Sequence, residues 1–169
     1  MILMRPEQTG DIAAIRRVNE HAFCRPAEAD LIDRLRERGN VTLSLVAVEE
    51  GHIIGHILFS PVIIEAARQA VSAVGLAPLA VLPEWQNRGV GSRLVTAGLD
   101  ECRRLGHQAV VVLGHPHYYP RFGFVPASRF GIRSEYDVAD EVFMAIELQP
   151  GSLDGRAGIA KYGPEFSDV

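Results

Sequence analysis

Gln86, Gly89 and Gly91 stand in a Gln-x-x-Gly-x-Gly spacing, Gln86-Asn87-Arg88-Gly89-Val90-Gly91. An apolar run, Leu79-Ala80-Val81-Leu82-Pro83, precedes them. The positions that follow, Val90, Leu94, Val95, Leu99, Cys102 and Leu105, have helical spacing and mark one apolar stripe. Gly89 and Gly91 carry no Cβ, so the backbone can come close to a ligand there. The N–H groups that open a helix lack intrahelical partners, and the helix dipole adds attraction for a negative group. A strand, a glycine turn and a helix start together predict a phosphate site.

Several phosphate ligands fit that chemistry, and the flanking residues separate them. A Gly-x-Gly pair by itself also serves as a plain tight turn. A dinucleotide fold requires a third glycine where Leu94 stands. It also requires an acid at the end of the next strand, but Leu113 leads into Gly114-His115. A nucleoside-triphosphate loop requires Gly-Lys-Ser or Gly-Lys-Thr, and neither follows. The six histidines raise the question of a metal. His52 and His56 are too far apart along a strand, and His115 and His117 lack a Cys or carboxylate at ligand spacing, so no metal site is expected. Trp85 is read as a packing or surface residue.

The elements that must position this turn follow from periodicity. Met1 to Met4 is a short strand. Thr9-Gly10-Asp11 caps a helix carrying Ile12, Ile15, Val18, Asn19 and Ala22. A second helix starts near Pro26, carries Leu31, Ile32 and Leu35, and stops at Gly39-Asn40. Val41 to Val48 and Ile53 to Ile64 read as strands around a Glu49-Glu50-Gly51-His52 turn, with Gly55 and Pro61 as bulge positions. Gln69 to Leu82 reads as a strand that Gly75 and Pro78 interrupt. Gln108 to Leu113 is apolar throughout, as in a strand buried on both faces. His115 to Phe122 reads as a short helix, and Phe124-Val125 and Glu141 to Leu148 as the last two strands. The tail from Gln149 reads as irregular. Fold class is therefore α/β with a mixed sheet.

The chain has 169 residues and a formal net charge of −4. That length fits one domain, and the charge argues against a general affinity for nucleic acid. Two cysteines, Cys24 and Cys102, are too few for a disulfide scaffold and suit a reducing compartment. Met1-Ile2-Leu3-Met4 is too short an apolar run for a signal peptide, and no apolar stretch reaches membrane-spanning length. A cytoplasmic protein without a membrane partner is expected.

The Leu-Ala-Val strand, its Pro83 and the turn from Gln86 to Gly91 resemble the pyrophosphate-binding motif of the GNAT superfamily of acyl-CoA-dependent N-acetyltransferases. Tyr119-Pro120-Arg121-Phe122-Gly123-Phe124 is similar to the family's late Tyr-x-x-x-Gly-Phe element. The order of elements agrees from Met1 to about Leu148. The resemblance implies a 1–148 acetyltransferase domain, with 149–169 as an extension packed on it. It implies a mixed, mostly antiparallel sheet flanked by helices, with two splayed parallel strands ending at Leu82 and Leu113. Acetyl-CoA is the implied co-substrate.

The same resemblance implies roles. Backbone N–H groups of Arg88, Gly89, Val90, Gly91 and Ser92 hold the pyrophosphate, Gln86 and Asn87 also belong to the coenzyme site, and Arg88 and Arg93 are candidates for added charge. The main chain of Leu79, Ala80 and Val81 bonds the pantetheine like an added strand. The Val81 N–H polarises the thioester carbonyl, on which negative charge grows. Tyr119 serves the leaving thiolate, with neighbouring Tyr118 as its rival. A tyrosine hydroxyl, with a usual pKa of about 10 against about 8.5 for a thiol, is protonated at neutral pH. The general base stays open among Glu84, Glu101, His56, His115 and His117.

The implied activity is acetyl transfer to a primary amine by direct attack in a ternary complex. A catalytically silent acyl-CoA-binding or sensing module is the alternative. A toxin that acetylates aminoacyl-tRNA is disfavoured by the acidic balance. The acceptor, a small-molecule or peptide amine, is expected to meet Phe23–Gly39, His56–Pro61 and Ser128–Asp140. Their mixture of Arg25, Arg34, Arg129 and Arg133 with Glu28, Asp30, Glu135, Asp137 and Asp140 selects no amine. A monomer or a homodimer is expected.

Overall fold

The computed structural model describes residues 1–67 and 69–169, with the backbone alone for Asp168. Among the described residues, nine strands are β1 (Leu3–Pro6), β2 (Leu43–Glu49), β3 (His52–Ala66), β4 (Val71–Val81), β5 (Ala109–Leu113), β6 (Val125–Pro126), β7 (Ile132–Ser134), β8 (Phe143–Glu147) and β9 (Gly158–Tyr162), and three α-helices are α1 (Ile12–Phe23), α2 (Ala27–Glu37) and α3 (Val90–Arg104). The hydrogen-bonded strand order is β1-β2-β3-β4-β5-β8-β6, with β9 pairing β3 and β7. Most pairs are antiparallel, while β4–β5 and β7–β9 are parallel. The chain divides into two compact units, one of Met1–Ser60, Ala77–Asp100 and Glu165–Val169, the other of Pro61–Leu76 and Glu101–Pro164.

In the first unit, α1 and α2 bury one face each. Ile15, Val18, Leu31, Ile32 and Leu35 pack on Val46, Leu58 and Ala80 of the strands. Each such side chain contributes roughly 1.5–3 kcal/mol by leaving water. Arg16 ties the helices together, reaching Asp30 and Asp33 at 2.8 Å each. The β2–β3 register shifts between Ala47 and Val48, where Ala47 faces Gly55 and Val48 faces Ile53. The extra residue is Ile54, so Gly55 is needed for another reason. A Cβ there would stand 3.0 Å from Leu94 Cδ1 and 3.2 Å from Val90 Cγ1. Gly55 thus lets the first turn of α3 sit down on β3. Gly98, on the other side of that contact, faces the Phe59 ring, whose Cε2 would lie 2.6 Å from a Cβ.

In the second unit, β5 is buried from Ala109 to Val112, as its unbroken apolar run predicts. β8 pairs with it along its whole length, from Ala109↔Glu147 to Leu113↔Phe143. Two departures from the sequence reading appear. β4 runs unbroken past Gly75 and Pro78. Its ladder with β5 ends at Gly75↔Val111, so Pro78 removes no bond from that ladder. The tail, read as irregular, supplies β9, antiparallel to β3 from Val62↔Tyr162 to Ala66↔Gly158.

Candidate active site

The phosphate turn belongs to the first unit. β4 ends with the Leu82 N–H donating to the Ile54 carbonyl at 2.9 Å. Successive residues of a strand turn their N–H and C=O groups to opposite edges. Leu82 faces β3, so Val81 directs its N–H and C=O to the edge turned away from β3. Leu79 shares that edge by the same alternation, and Ala80 faces β3. A 3-10 turn, Pro83–Trp85, follows, closed by Trp85 N–H to the Leu82 carbonyl at 2.8 Å.

Asn87 (φ 62°) and Gly89 (φ 82°) adopt left-handed backbone on either side of Arg88. Alternating handedness turns successive N–H groups to one concave side, an anion-binding arrangement. A Cβ at Gly89 would meet nothing within 4 Å, so the space above the turn is open. The first intrahelical bond of α3 runs from Arg93 N–H to the Gly89 carbonyl at 3.1 Å. Val90 and Gly91 therefore present N–H groups with no intrahelical acceptor. The Gln86 side chain does not extend over the turn. Its Nε2 donates to the Val81 carbonyl at 3.0 Å. Arg93 donates to the Ile2 carbonyl at 2.8 Å, which orients its side chain and leaves its charge in place. Arg88 lies over the Trp85 ring, 5.2 Å from its centroid.

A cavity of about 360 Å³ opens beside this turn, between Arg17 and His21 of α1, the β2–β3 hairpin, Leu82, Glu84 and Trp85. Trp85, which the sequence left without a role, walls this cavity and carries Arg88.

His56 is wholly buried. Its Nδ1 meets Asn19 Nδ2 at 3.2 Å, and its Nε2 meets Ser44 Oγ at 2.9 Å. The Ser44 hydroxyl donates to Glu7 at 2.6 Å, and Arg36 grips the same carboxylate at 2.8 and 2.9 Å. Asn19 Nδ2 is a donor, so His56 Nδ1 accepts and Nε2–H donates to Ser44. Burial, then the Arg36 charge, push its pKa from 6.5 down to about 3. Both nitrogens are engaged inside the unit, so His56 is a structural residue rather than a general base. Glu101 is engaged too. Arg104 Nε donates to it at 2.9 Å and holds its pKa below the usual range.

The charges of the α1–α2 segment are mostly paired with one another. Arg25 bonds Glu28, Arg34 donates to the Glu165 carbonyl at 2.9 Å, and Asp30 is held by Arg16.

Tyr119 belongs to the second unit, where it opens a 3-10 turn, Tyr119–Phe122, closed by Gly123 in left-handed backbone (φ 104°). Its ring is 7% exposed. Edge contacts to Tyr118 at 5.1 Å and Phe124 at 5.7 Å hold it. Gly114, just past β5, lets the ring close on the backbone, because a Cβ would stand 2.9 Å from Tyr119 Cδ2 and closer still to Cε2. Sequence reasoning missed Gly114; its only signal was a glycine at the end of a buried strand. Burial, and then Tyr118, raise the Tyr119 pKa well above the usual 10. The hydroxyl is therefore protonated throughout the neutral range. His115 and His117 are exposed beside it. Glu135, in the loop after β7, accepts the Tyr162 N–H at 2.8 Å. Among the described residues, no group of three or more His, Cys, Asp or Glu is arranged to hold a metal ion. No helix among them is long and apolar enough to cross a membrane.

Residues 11–124 match the family model of the acetyltransferase (GNAT) family. The chain is 36% identical to the uncharacterized N-acetyltransferase YhbS of Escherichia coli K12 over 167 residues, 98% of this chain and 99% of that one. It is 40% identical to the uncharacterized N-acetyltransferase YjhQ of the same strain, over 86% of this chain and 85% of that one. The crystal structure of Escherichia coli YhbS in complex with CoA superposes with a TM-score of 0.92, covering 98% of this chain and 91% of that one. A GNAT acetyltransferase from Brucella melitensis in complex with acetyl-CoA superposes with a TM-score of 0.82, at 35% identity and 99% coverage of both chains. A turn with left-handed backbone at Asn87 and Gly89, opening a helix after the fourth strand of a mixed sheet, thus comes with relatives over 98% of the chain: the chain belongs to the GNAT acetyltransferase family.

Proposed function

We propose that this protein transfers the acetyl group of acetyl-CoA to a primary amine by direct attack in a ternary complex. The observation that carries this reading is the Asn87–Gly91 turn, with left-handed backbone at Asn87 and Gly89 and open space above Gly89. Support also comes from the two relatives bound to CoA and acetyl-CoA.

In this reading the backbone N–H groups of Asn87, Arg88, Gly89, Val90, Gly91 and Ser92 hold the pyrophosphate, with Gln86 bracing the turn from Val81. Leu79, Ala80 and Val81 form the strand beside which the pantetheine lies. Leu79 and Val81 offer their amides on the edge turned away from β3. The Val81 N–H stabilises the oxyanion that forms when the amine attacks the thioester carbon. The amine arrives unprotonated, and after attack its nitrogen passes one proton to a carboxylate, a His or a water chain. The carbon–sulfur bond then breaks, and Tyr119, protonated at neutral pH, donates a hydrogen bond to the departing thiolate. Products are an acetamide and free CoA. The acceptor is a small-molecule or peptide amine, the protein works in the cytoplasm, and it is a monomer or a homodimer.

The test is release of free thiol from acetyl-CoA across a panel of amines. Amine-dependent release supports transfer. CoA binding without release for any amine would favour the silent binding module instead.

A further inference from the structure

Trp85 is the single tryptophan of the chain, and it stands directly before the phosphate turn. Its ring lines a cavity together with Leu82 and Glu84. Over the ring lies the Arg88 guanidinium, 5.2 Å from the centroid. The Arg88 backbone sits between the left-handed residues Asn87 and Gly89. Among the described residues no carboxylate pairs with Arg88, so its charge is not neutralised within the protein. Arg93, the other arginine near the turn, is oriented by its bond to the Ile2 carbonyl rather than by an aromatic ring. A guanidinium stacks on an aromatic face without losing its charge or its in-plane donors. Such stacking removes rotamer freedom before any ligand arrives, and that entropy then no longer opposes binding.

We propose that Trp85 is a positioning residue for the coenzyme: its ring holds the Arg88 guanidinium beside the anion cradle, where the charge meets the pyrophosphate. The inference rests on the coenzyme reading above. Trp85 acts only through Arg88.

Titration calorimetry with CoA, and steady-state kinetics with any amine that turns over, test it on Trp85→Leu, Trp85→Phe, Arg88→Gln and the Trp85→Leu/Arg88→Gln double variant. Melting curves first establish that each variant is folded; should Trp85→Leu fail to fold, Trp85→Phe against Arg88→Gln carries the comparison. Trp85→Leu is expected to weaken CoA binding about 2–5-fold, the scale of an exposed cation–π contact, with kcat unchanged. Trp85→Phe restores most of the loss. In the double variant the Trp85 effect disappears, because there is no charge left to position. Arg88→Gln also flattens the dependence of binding on ionic strength. Dephospho-CoA is expected to show the same Trp85→Leu penalty, since it keeps the pyrophosphate. A penalty that vanishes with dephospho-CoA would assign the charge to the 3′-phosphate and overturn the proposal, as would additive losses in the double variant. Failure of the wild type to bind CoA would instead remove the coenzyme reading itself.

Discussion

The Gln86 side chain donates from Nε2 to the Val81 carbonyl across 3.0 Å, tying the phosphate turn to the end of the strand before it. The bond matters because the Val81 main chain is assigned to the thioester and the turn to the pyrophosphate. In the proposed site, this one side chain links the two ends that would meet the coenzyme. Gln86→Leu removes the donor, and a single hydrogen bond contributes about 0.5–1.5 kcal/mol. The KM for acetyl-CoA is then expected to rise ~2–10-fold. Gln86→Glu should raise it further, because a carboxylate cannot donate to Val81 and repels phosphate. Kinetics of Gln86→Leu identical to the wild type would show that the brace is dispensable.

Two glycines, Gly89 in the turn before α3 and Gly98 within the helix, separate binding from stability. Gly89 has positive φ and open space around its Cβ position. Gly89→Glu is expected to abolish CoA binding while the melting temperature falls only slightly, since left-handed backbone costs about 1–2 kcal/mol. Gly98 instead faces the Phe59 ring. Gly98→Ala is expected to destabilise by about 1–3 kcal/mol through overpacking. Its remaining folded fraction should bind CoA normally. Calorimetry and thermal melts on both variants check this, and retained binding in Gly89→Glu would take the turn out of the site.

Much of this turn was legible in the sequence because its information is local. Gly89 and Gly91 announce close backbone approach, and the α3 stripe announces the helix behind them. Other features depend on partners far away in the chain. β9 is five residues long, and its pairing with β3 is a contact that no local pattern in the tail encodes. His56 could not be oriented from sequence, since only Asn19 and Ser44 reveal that its ring faces the core. Gly114 gains its meaning from the Tyr119 ring laid against it. β4 runs on through Gly75, which still pairs with Val111 of β5, and past Pro78, which local signals read as interruptions.

Tyr119→Phe removes the hydroxyl but keeps the ring contacts to Tyr118 and Phe124. With the leaving-group role intact in the wild type, kcat is expected to fall about 10-fold or more, with the KM for acetyl-CoA little changed. Its raised pKa also predicts that Tyr119 adds no falling limb to the rate profile between neutral pH and about pH 10. An unchanged kcat in Tyr119→Phe would leave the thiolate without this donor.

The His56 network predicts an acid-sensitive fold. In the unfolded chain the imidazole binds a proton below its ordinary 6.5, while the folded protein resists until about 3. Between those values the unfolded state holds more protons, so stability falls as pH falls through that window. Above 6.5 this contribution is flat. Melting temperature against pH from 7 to 4 should show a shallower acid slope in His56→Gln than in the wild type. Parallel slopes would mean that the imidazole does not carry the acid sensitivity.

Titration calorimetry of the purified protein with acetyl-CoA tests whether the Gln86–Gly91 turn holds the coenzyme. Saturable binding to the wild type and none to Gly89→Glu is the expected result. Absence of binding to the folded wild type at millimolar acetyl-CoA would contradict it.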